Sequence, residues 1–350
     1  MNGPLRIGLI GAGMIGRKHA AYLKASPDCD LVAVADPSPQ TAAVAAEHGA
    51  ACHTDFDQML SSHDLDGVII AAPNDLHETA GIAAAARGLA MIVEKPIAGG
   101  REAAGRLTKA ADDAGVPLLV GHHRRYNPWA QRARALIRDG ALGRLVGVNA
   151  IWCVRKPETY FDAAWRKAPG GGPVLINLIH EVDMLRFLCG EITEVMALSS
   201  NAVRSFDVED SASVALRFED GALGTVLMSD TAPSPWSWEQ ASGENLPVFP
   251  ENDENPTRLF GTEAAMEFPR LRIWRHDGAV DWNSPLASEE LALPKLDVYT
   301  KQLAHFARVI RGEEAPIITG EDASRSLAAT LAVIEAADAG RTITLSPTQN

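Results

Sequence analysis

The run Gly11-Ala12-Gly13-Met14-Ile15-Gly16 directly follows a short apolar stretch, Leu5 to Ile10, and opens a helical pattern. No other feature restricts the chain as strongly. The first glycine permits a tight turn, the second lets backbone approach a pyrophosphate, and the third lets the helix pack closely on the strand; the helix N-terminus favours negative charge. Asp36 ends the next apolar stretch, twenty residues after Gly16. A carboxylate there can accept hydrogen bonds from the adenine ribose hydroxyls and would repel a 2′-phosphate. Residues Gly11, Ala12, Gly13, Met14, Ile15, Gly16 and Asp36 are therefore expected to hold a dinucleotide, NAD in preference to NADP, since Pro37 and Ser38 follow without an adjacent arginine. The competing explanation, a chance glycine turn with a chance aspartate, must account for strand, spacing and acid together.

The pattern around this turn is that of an α/β chain. Strand-like runs at Leu5 to Ile10, Leu31 to Ala35, Gly67 to Ala72, Ala90 to Val93 and Leu118 to Gly121 alternate with Ala-rich helical stretches such as Thr41 to Glu47 and Asp75 to Ala86, closed by Gly49 and Gly88. Such alternation predicts a doubly wound parallel sheet, a Rossmann-type domain over residues 1–123. After a helix from Pro128 to Gly140, the texture changes to longer strands at Arg144 to Val154, Ile192 to Val203, Ala212 to Glu219 and Ala222 to Ser229. Asp220-Gly221 joins the last two as a hairpin, and a second hairpin is expected at His276 to Gly278. Residues 124–350 thus form an α+β domain with a large, mostly antiparallel open sheet. Helices at Val174 to Leu188, Leu296 to Ile310 and Glu321 to Ala339 are assigned to it, with a long irregular loop over 231–257. Its hairpin strands offer more apolar face than these helices cover, which predicts a homo-dimer or homo-tetramer.

Composition enters by exclusion. With 32 Lys+Arg against 45 Asp+Glu, the formal charge is −13, the wrong sign for nucleic acid or an anionic membrane surface. No apolar run approaches the roughly 18 residues that span a bilayer. The N-terminus reads as a strand without a secretory leader, and the four cysteines (Cys29, Cys52, Cys153, Cys189) form no framework. Reduced thiols in a cytoplasmic protein are expected.

At Glu94-Lys95-Pro96, after the fourth strand-like run, the chain resembles the glucose–fructose oxidoreductase and inositol dehydrogenase (Gfo/Idh/MocA) family. Further likenesses are Ala72-Pro73-Asn74 with His77, Gly121-His122-His123-Arg124-Arg125-Tyr126, Trp165-Arg166, Gly170-Gly171-Gly172, and His180 with Asp183. Each is short; their order and spacing over nearly the whole chain make the match specific. The resemblance implies a sugar, cyclitol or other polyol substrate, oxidised or reduced at one carbinol carbon. It also implies that Pro73, Asn74 and His77 line the cofactor, that Glu94 and Lys95 sit beside the nicotinamide ribose and reacting carbon, and that His123, Trp165, Arg166 and Tyr299 reach the cofactor from the interdomain side.

These residue types suit the chemistry. Loss of hydride from carbon and of a proton from oxygen requires a base and a donor for the developing alkoxide. Lys95 stands at the carboxyl end of a parallel strand, where ligands of open α/β sheets bind, although a solvated strand-end lysine would look the same. His180 can take the proton; its bland alternative is a core histidine among Ile176, Met184 and Phe187. Asn177 lies one helical turn before His180 and can bind a substrate hydroxyl. The family's usual aspartate four residues before His180 is Ile176 here. Two other readings remain: tightly held NAD used for transient oxidation in elimination, hydrolysis or epimerisation, and a non-catalytic nucleotide-sensing subunit. Trp236 and Trp238 offer either sugar stacking or an oligomer or lid packing role. His122 and His123, as neighbours on a strand, would point to opposite faces, so no metal site is expected.

Overall fold

The computed structural model describes residues 3–246 and 248–346. Residues 1–2 and 347–350, at the ends of the two expected domains, and residue 247 of the expected 231–257 loop lie outside the described residues. The chain divides into two compact units, Met1–Tyr126 with Asp297–Leu327, and Asn127–Leu296 with Ala328–Asn350.

The first unit carries a six-stranded parallel sheet: β1 (Leu5–Ile10), β2 (Cys29–Ala35), β3 (Ala51–His53), β4 (Gly67–Ile70), β5 (Ala90–Val93) and β6 (Leu118–Val120), in the order β3-β2-β1-β4-β5-β6. Helices α1 (Met14–Ala25), α2 (Thr41–His48), α3 (Phe56–Ser62), α4 (Asn74–Ala85) and α5 (Arg101–Ala114) connect the strands. The order reverses between β1 and β4, the switch point outside which ligands of such sheets bind. Every residue of β4 and β5 is buried, which is why they read as unbroken apolar runs rather than alternating ones.

The second unit begins with α6 (Pro128–Arg138), whose N-terminus Asn127 caps by accepting the Trp129 backbone N–H at 2.9 Å. Its nine strands are β7 (Leu145–Cys153), β8 (Ile192–Ser200), β9 (Ser211–Phe218), β10 (Leu223–Ser229), β11 (Thr257–Gly261), β12 (Ala265–Phe268), β13 (Arg272–His276), β14 (Leu286–Glu290) and β15 (Ile343–Thr344). They are ordered β14-β13-β12-β11-β7-β10-β9-β8-β15. All neighbours pair antiparallel except β7 with β10. One face packs on α7 (Ile179–Cys189) and on the later turns of α10 (Gly320–Ala339), in a core that joins Trp152, Val182, Leu185, Phe218, Phe268 and Val333. The expected hairpin at Asp220-Gly221 joins β9 and β10, with Gly221 at φ +91°.

Several expectations need correcting. The first sheet gains β3, only three residues long and only partly apolar. Helix α9 (Val298–Ile310) clusters with the first unit instead of the second: Leu303, Phe306, Ala307 and Val309 join Leu5, Ile7, Ile69 and Ile92 in one core. The segment Val174–Leu188 is not a uniform α-helix, because Val174–Leu178 forms one π-helical turn before α7. Strands β13 and β14 do pair, but the chain between them runs from 277 to 285 rather than turning at 276–278. Within the 231–257 stretch lies a short helix, α8 (Trp238–Ser242), on which Trp238 is 2% exposed and packs on Phe268. Trp238 is therefore a packing residue; Trp236 stays exposed and donates its indole N–H to Glu254 at 3.1 Å.

Candidate active site

The site residues fall into two sets, one on each unit. In the first unit the three glycines divide their work. A Cβ on Gly11, at φ +100°, would lie 2.4 Å from the Ala71 carbonyl oxygen, and one on Gly16 would lie 2.0 Å from the Gly11 carbonyl oxygen. Gly13 faces open space. The turn is thus closed on the protein side and open on the other, at the first turn of α1, which carries no acidic residue and no side-chain cap. Asp36 is tied to it: Oδ2 accepts the Ala12 N–H at 2.8 Å and Oδ1 the Ser38 N–H at 2.7 Å. Ala12 and Gly16 are buried, Ile15 is half-buried, and Gly13 and Met14 are exposed. An open glycine, free helix N–H groups and a fixed carboxylate fit a dinucleotide.

The strand-end motif is more deeply built. Glu94 is 8% exposed, accepts from His19 of α1 at 2.8 Å and from the Lys95 backbone N–H at 3.3 Å. Room for it comes from Gly121, where a Cβ would lie 2.7 Å from Glu94 Oε2. Burial opposes ionisation of Glu94, but the His19 hydrogen bond, with the charges of His19 and Lys95, outweighs it and holds its pKa down at about 2. Because an ionised carboxylate only accepts, His19 Nε2 is the donor. Lys95 itself is half-buried and joined to Pro96 by a cis peptide.

Tyr299 belongs to this first set. Its ring stacks on Tyr22 (5.4 Å) and on His123 (4.8 Å), with Lys18 Nζ 3.9 Å from the ring centre and its hydroxyl 3.4 Å from His123 Nδ1. Tyr22 donates to Asp297 at 2.6 Å, and Asp297 caps α9 through the Thr300 N–H at 2.8 Å. Burial and the neighbouring Arg124 push the His123 pKa down to about 3, so this ring is neutral. His122 follows β6 and His123 opens a 3-10 turn, so the two are not strand neighbours. Among the described residues no group of three or more His, Cys, Asp and Glu side chains is placed to hold a metal ion.

Pro73 is exposed and Asn74 half-buried at the start of α4, but His77 is 1% exposed. Its ring nitrogens lie 2.8 Å from the Pro96 carbonyl oxygen and 2.9 Å from that of Ala72. His77 therefore sits beneath the loop and links it to the cis-proline turn, instead of presenting its ring at the surface.

On the second unit, every residue from Val174 to Cys189 is buried except Ile176, Asn177 and His180. These positions share the one open strip of an otherwise buried segment, and the π-helical turn lies at two of them, as such turns do at functional sites. Asn177 Oδ1 is buried without a hydrogen-bond partner. Trp165 is 53% exposed, and the Arg166 guanidinium lies 3.9 Å from the Tyr160 ring centre. A Cβ on Gly171 would lie 2.1 Å from the Trp165 carbonyl oxygen, and one on Gly172 would lie 2.4 Å from Glu209 Oε1. The glycine run thus seats both the Trp165-Arg166 turn and the Glu209 carboxylate, which accepts the Val174 N–H at 2.8 Å.

The family model for the NAD-binding Rossmann fold of an oxidoreductase family matches residues 5–122, and that for the GFO/IDH/MocA C-terminal domain matches residues 130–267. Inositol 2-dehydrogenase of Rhizobium meliloti (strain 1021) is 32% identical over 67% of this chain and 71% of its own length. The chain belongs to the Gfo/Idh/MocA oxidoreductase family. A 1,5-anhydro-D-fructose reductase of Ensifer adhaerens is 29% identical over 96% of this chain and 97% of its own. The crystal structure of the WlbA dehydrogenase from Bordetella pertussis in complex with NADH and UDP-GlcNAcA matches with a TM-score of 0.80 at 27% identity, covering 98% of this chain and 99% of that one. As a member of this oxidoreductase family the chain carries an NAD-binding Rossmann domain.

Sequence reasoning missed His19, Lys18, Tyr22, Asp297 and Arg17. His19 stands three residues after Gly16, a spacing that places it on the inner face of α1, but its partner Glu94 is distant in sequence. Arg17 precedes Asp36 by nineteen residues in sequence, and it reaches across from α1, with Nη1 3.4 Å from Gln40 Oε1.

Proposed function

We propose that this protein oxidises or reduces a carbinol carbon of a sugar, cyclitol or sugar derivative, with NAD held on the glycine turn and Asp36. The observation that carries the reading is the strip of Ile176, Asn177 and His180: a proton acceptor and an unpartnered amide oxygen are the polar breaks in a buried segment of an oxidoreductase. When bound, NAD supplies the hydride acceptor or donor. Lys95 polarises the substrate oxygen and stabilises the developing alkoxide. His180 takes the proton, and with Ile176 in place of a carboxylate it does so as the sole base on that strip. Asn177 orients a neighbouring hydroxyl.

Pro73, Asn74, Trp165, Arg166 and Tyr299 serve the cofactor from exposed or half-buried positions and from the Tyr299 stack. His77, Glu94 and His123 act behind them, holding the loop, the Lys95 backbone and Tyr299. The names of the relatives, a cyclitol dehydrogenase and an anhydrosugar reductase, support a polyol or sugar substrate. Steady NADH formation with a member of a sugar, alditol and cyclitol panel, and its loss in Lys95→Met, tests the reading; a panel without turnover contradicts it.

A homo-oligomer, dimer or tetramer, forms through the outer face of the second sheet, where Met196, Leu198, Leu223, Leu227 and Phe260 are exposed and the register aligns Leu198, Ser213, Leu227 and Ile151 in one row. A cytoplasmic setting agrees with four free cysteines, three of them buried. Among the described residues no helix is long and apolar enough to cross a membrane.

A further inference from the structure

The second unit also holds a group of charges that the reading above leaves unused. Asp230, at the end of β10, is 1% exposed. Arg204 satisfies it at 3.0 Å from Nε to Oδ1, and the remaining nitrogens of Arg204 reach Glu158, the Lys156 carbonyl oxygen and the Asp230 carbonyl oxygen at 2.9 to 3.2 Å. Every nitrogen of Arg204 thus has a partner.

Lys156 is held more loosely. It is 8% exposed, its one ion pair is a long contact to Asp230 Oδ2 at 3.4 Å, and it lies 4.6 Å from the centre of the Tyr160 ring. Arg166 packs on the same ring at 3.9 Å, and its Nε is also buried without a partner. The group continues to the proposed substrate strip. Glu209, which feels the charges of both Asp230 and Lys156, accepts the Val174 N–H at the start of the segment that bears Asn177 and His180. Within the second unit, then, Arg166 Nε and Asn177 Oδ1 are buried without a partner, and Lys156 Nζ has only its long contact to Asp230. Native interiors leave such atoms unpaired only rarely, and a ligand is one remedy. A hydroxyl satisfies Asn177, and an anion with several lone pairs satisfies the donors.

We infer that Lys156, with Arg166 beside it on the Tyr160 ring, anchors a carboxylate, so that the substrate is an acidic sugar derivative such as a uronate or aldonate rather than a neutral sugar or cyclitol. This rests on the oxidoreductase reading proposed above and specifies its substrate class. The ammonium of Lys156 is the specific contact.

The test compares acid and neutral partners of one carbon skeleton on the wild-type enzyme: D-glucuronate with D-glucose, D-galacturonate with D-galactose, and D-gluconate with D-sorbitol, by NADH formation at saturating NAD. At least one acid should exceed its neutral partner in kcat/KM by roughly tenfold or more, as expected for a hydrogen bond to a charged group. Lys156→Gln should collapse that ratio mainly through KM. Neutral substrates turned over as well as or better than their acids would overturn the inference while leaving the oxidoreductase reading intact. No turnover with either class would contradict both. The wild-type comparison decides even where Lys156→Gln does not fold; a folded Lys156→Gln that retains the full acid preference would overturn the assignment of Lys156.

Discussion

Replacing Glu94 by Gln isolates the charge of the most deeply built side chain in the first unit. Gln preserves shape and still accepts a hydrogen bond from His19, so the substitution chiefly removes the negative charge. The carboxyl pKa falls from 4.5 to about 2 in the folded protein, and at about 1.4 kcal/mol per unit the ionised form is favoured by about 3 kcal/mol. A neutral hydrogen bond to His19 returns about 1 kcal/mol of this, leaving an expected loss of about 2 kcal/mol at pH 7. The sign of the pH dependence follows from the depressed pKa. The contribution is full above the unfolded value of 4.5 and disappears as pH falls through the folded value near 2, so the gap between wild type and variant should narrow to about half near pH 4 and nearly close by about pH 3. Urea denaturation of both proteins between pH 7 and pH 3 measures it. Equal stability at pH 7, or a gap that widens as pH falls, would refute the argument that Glu94 is held ionised. Because Glu94 joins α1 to the Lys95 backbone, the variant should also bind NAD more weakly.

Lys95→Ala and His180→Ala should each lower kcat by roughly two orders of magnitude or more, the range of general acid–base groups, while His180→Ala keeps its NAD affinity by fluorescence titration and Asn177→Ala mainly raises KM. Wild-type enzyme should use NAD better than NADP, and Asp36→Ser should shift the ratio towards NADP; adding Arg17→Ala should reverse that shift, because Arg17 is a cation held near the loop after Asp36. Light scattering at micromolar concentration should give a dimer or tetramer, and Leu198→Glu with Leu227→Glu should dissociate it; a wild-type monomer would rule out the sheet interface.

The parts of this molecule that were legible in its sequence are those set by short-range pattern. β4 and β5 announce themselves because both faces are buried and both strands are wholly apolar. The glycine turn, Asp36 and the Asp220-Gly221 hairpin are local chemistry and could be read in place. β3 escaped because its three residues, Ala51, Cys52 and His53, carry no apolar run. The apolar stripe of α9 was visible, but nothing in a stripe says which core it enters, and that depends on Phe306 and Leu303 meeting Ile69 and Ile92. Long-range pairs were equally hidden. The His19 contact with Glu94 and the Glu209 contact with Gly172 join segments distant in sequence, and a lone histidine or glutamate has no periodicity to betray its partner.

Transfer of the label from substrate to cofactor tests the central claim most directly. The purified enzyme is incubated with NAD and with sugars or polyols deuterated at the carbinol carbon, and the nicotinamide is analysed by mass spectrometry. The reduced cofactor should carry the deuterium and accumulate with turnover, and Lys95→Met should abolish both. Product formation without net NADH, with the label returned to its original carbon, would contradict net dehydrogenation and favour transient oxidation; unlabelled NADH would contradict hydride transfer from the carbinol carbon.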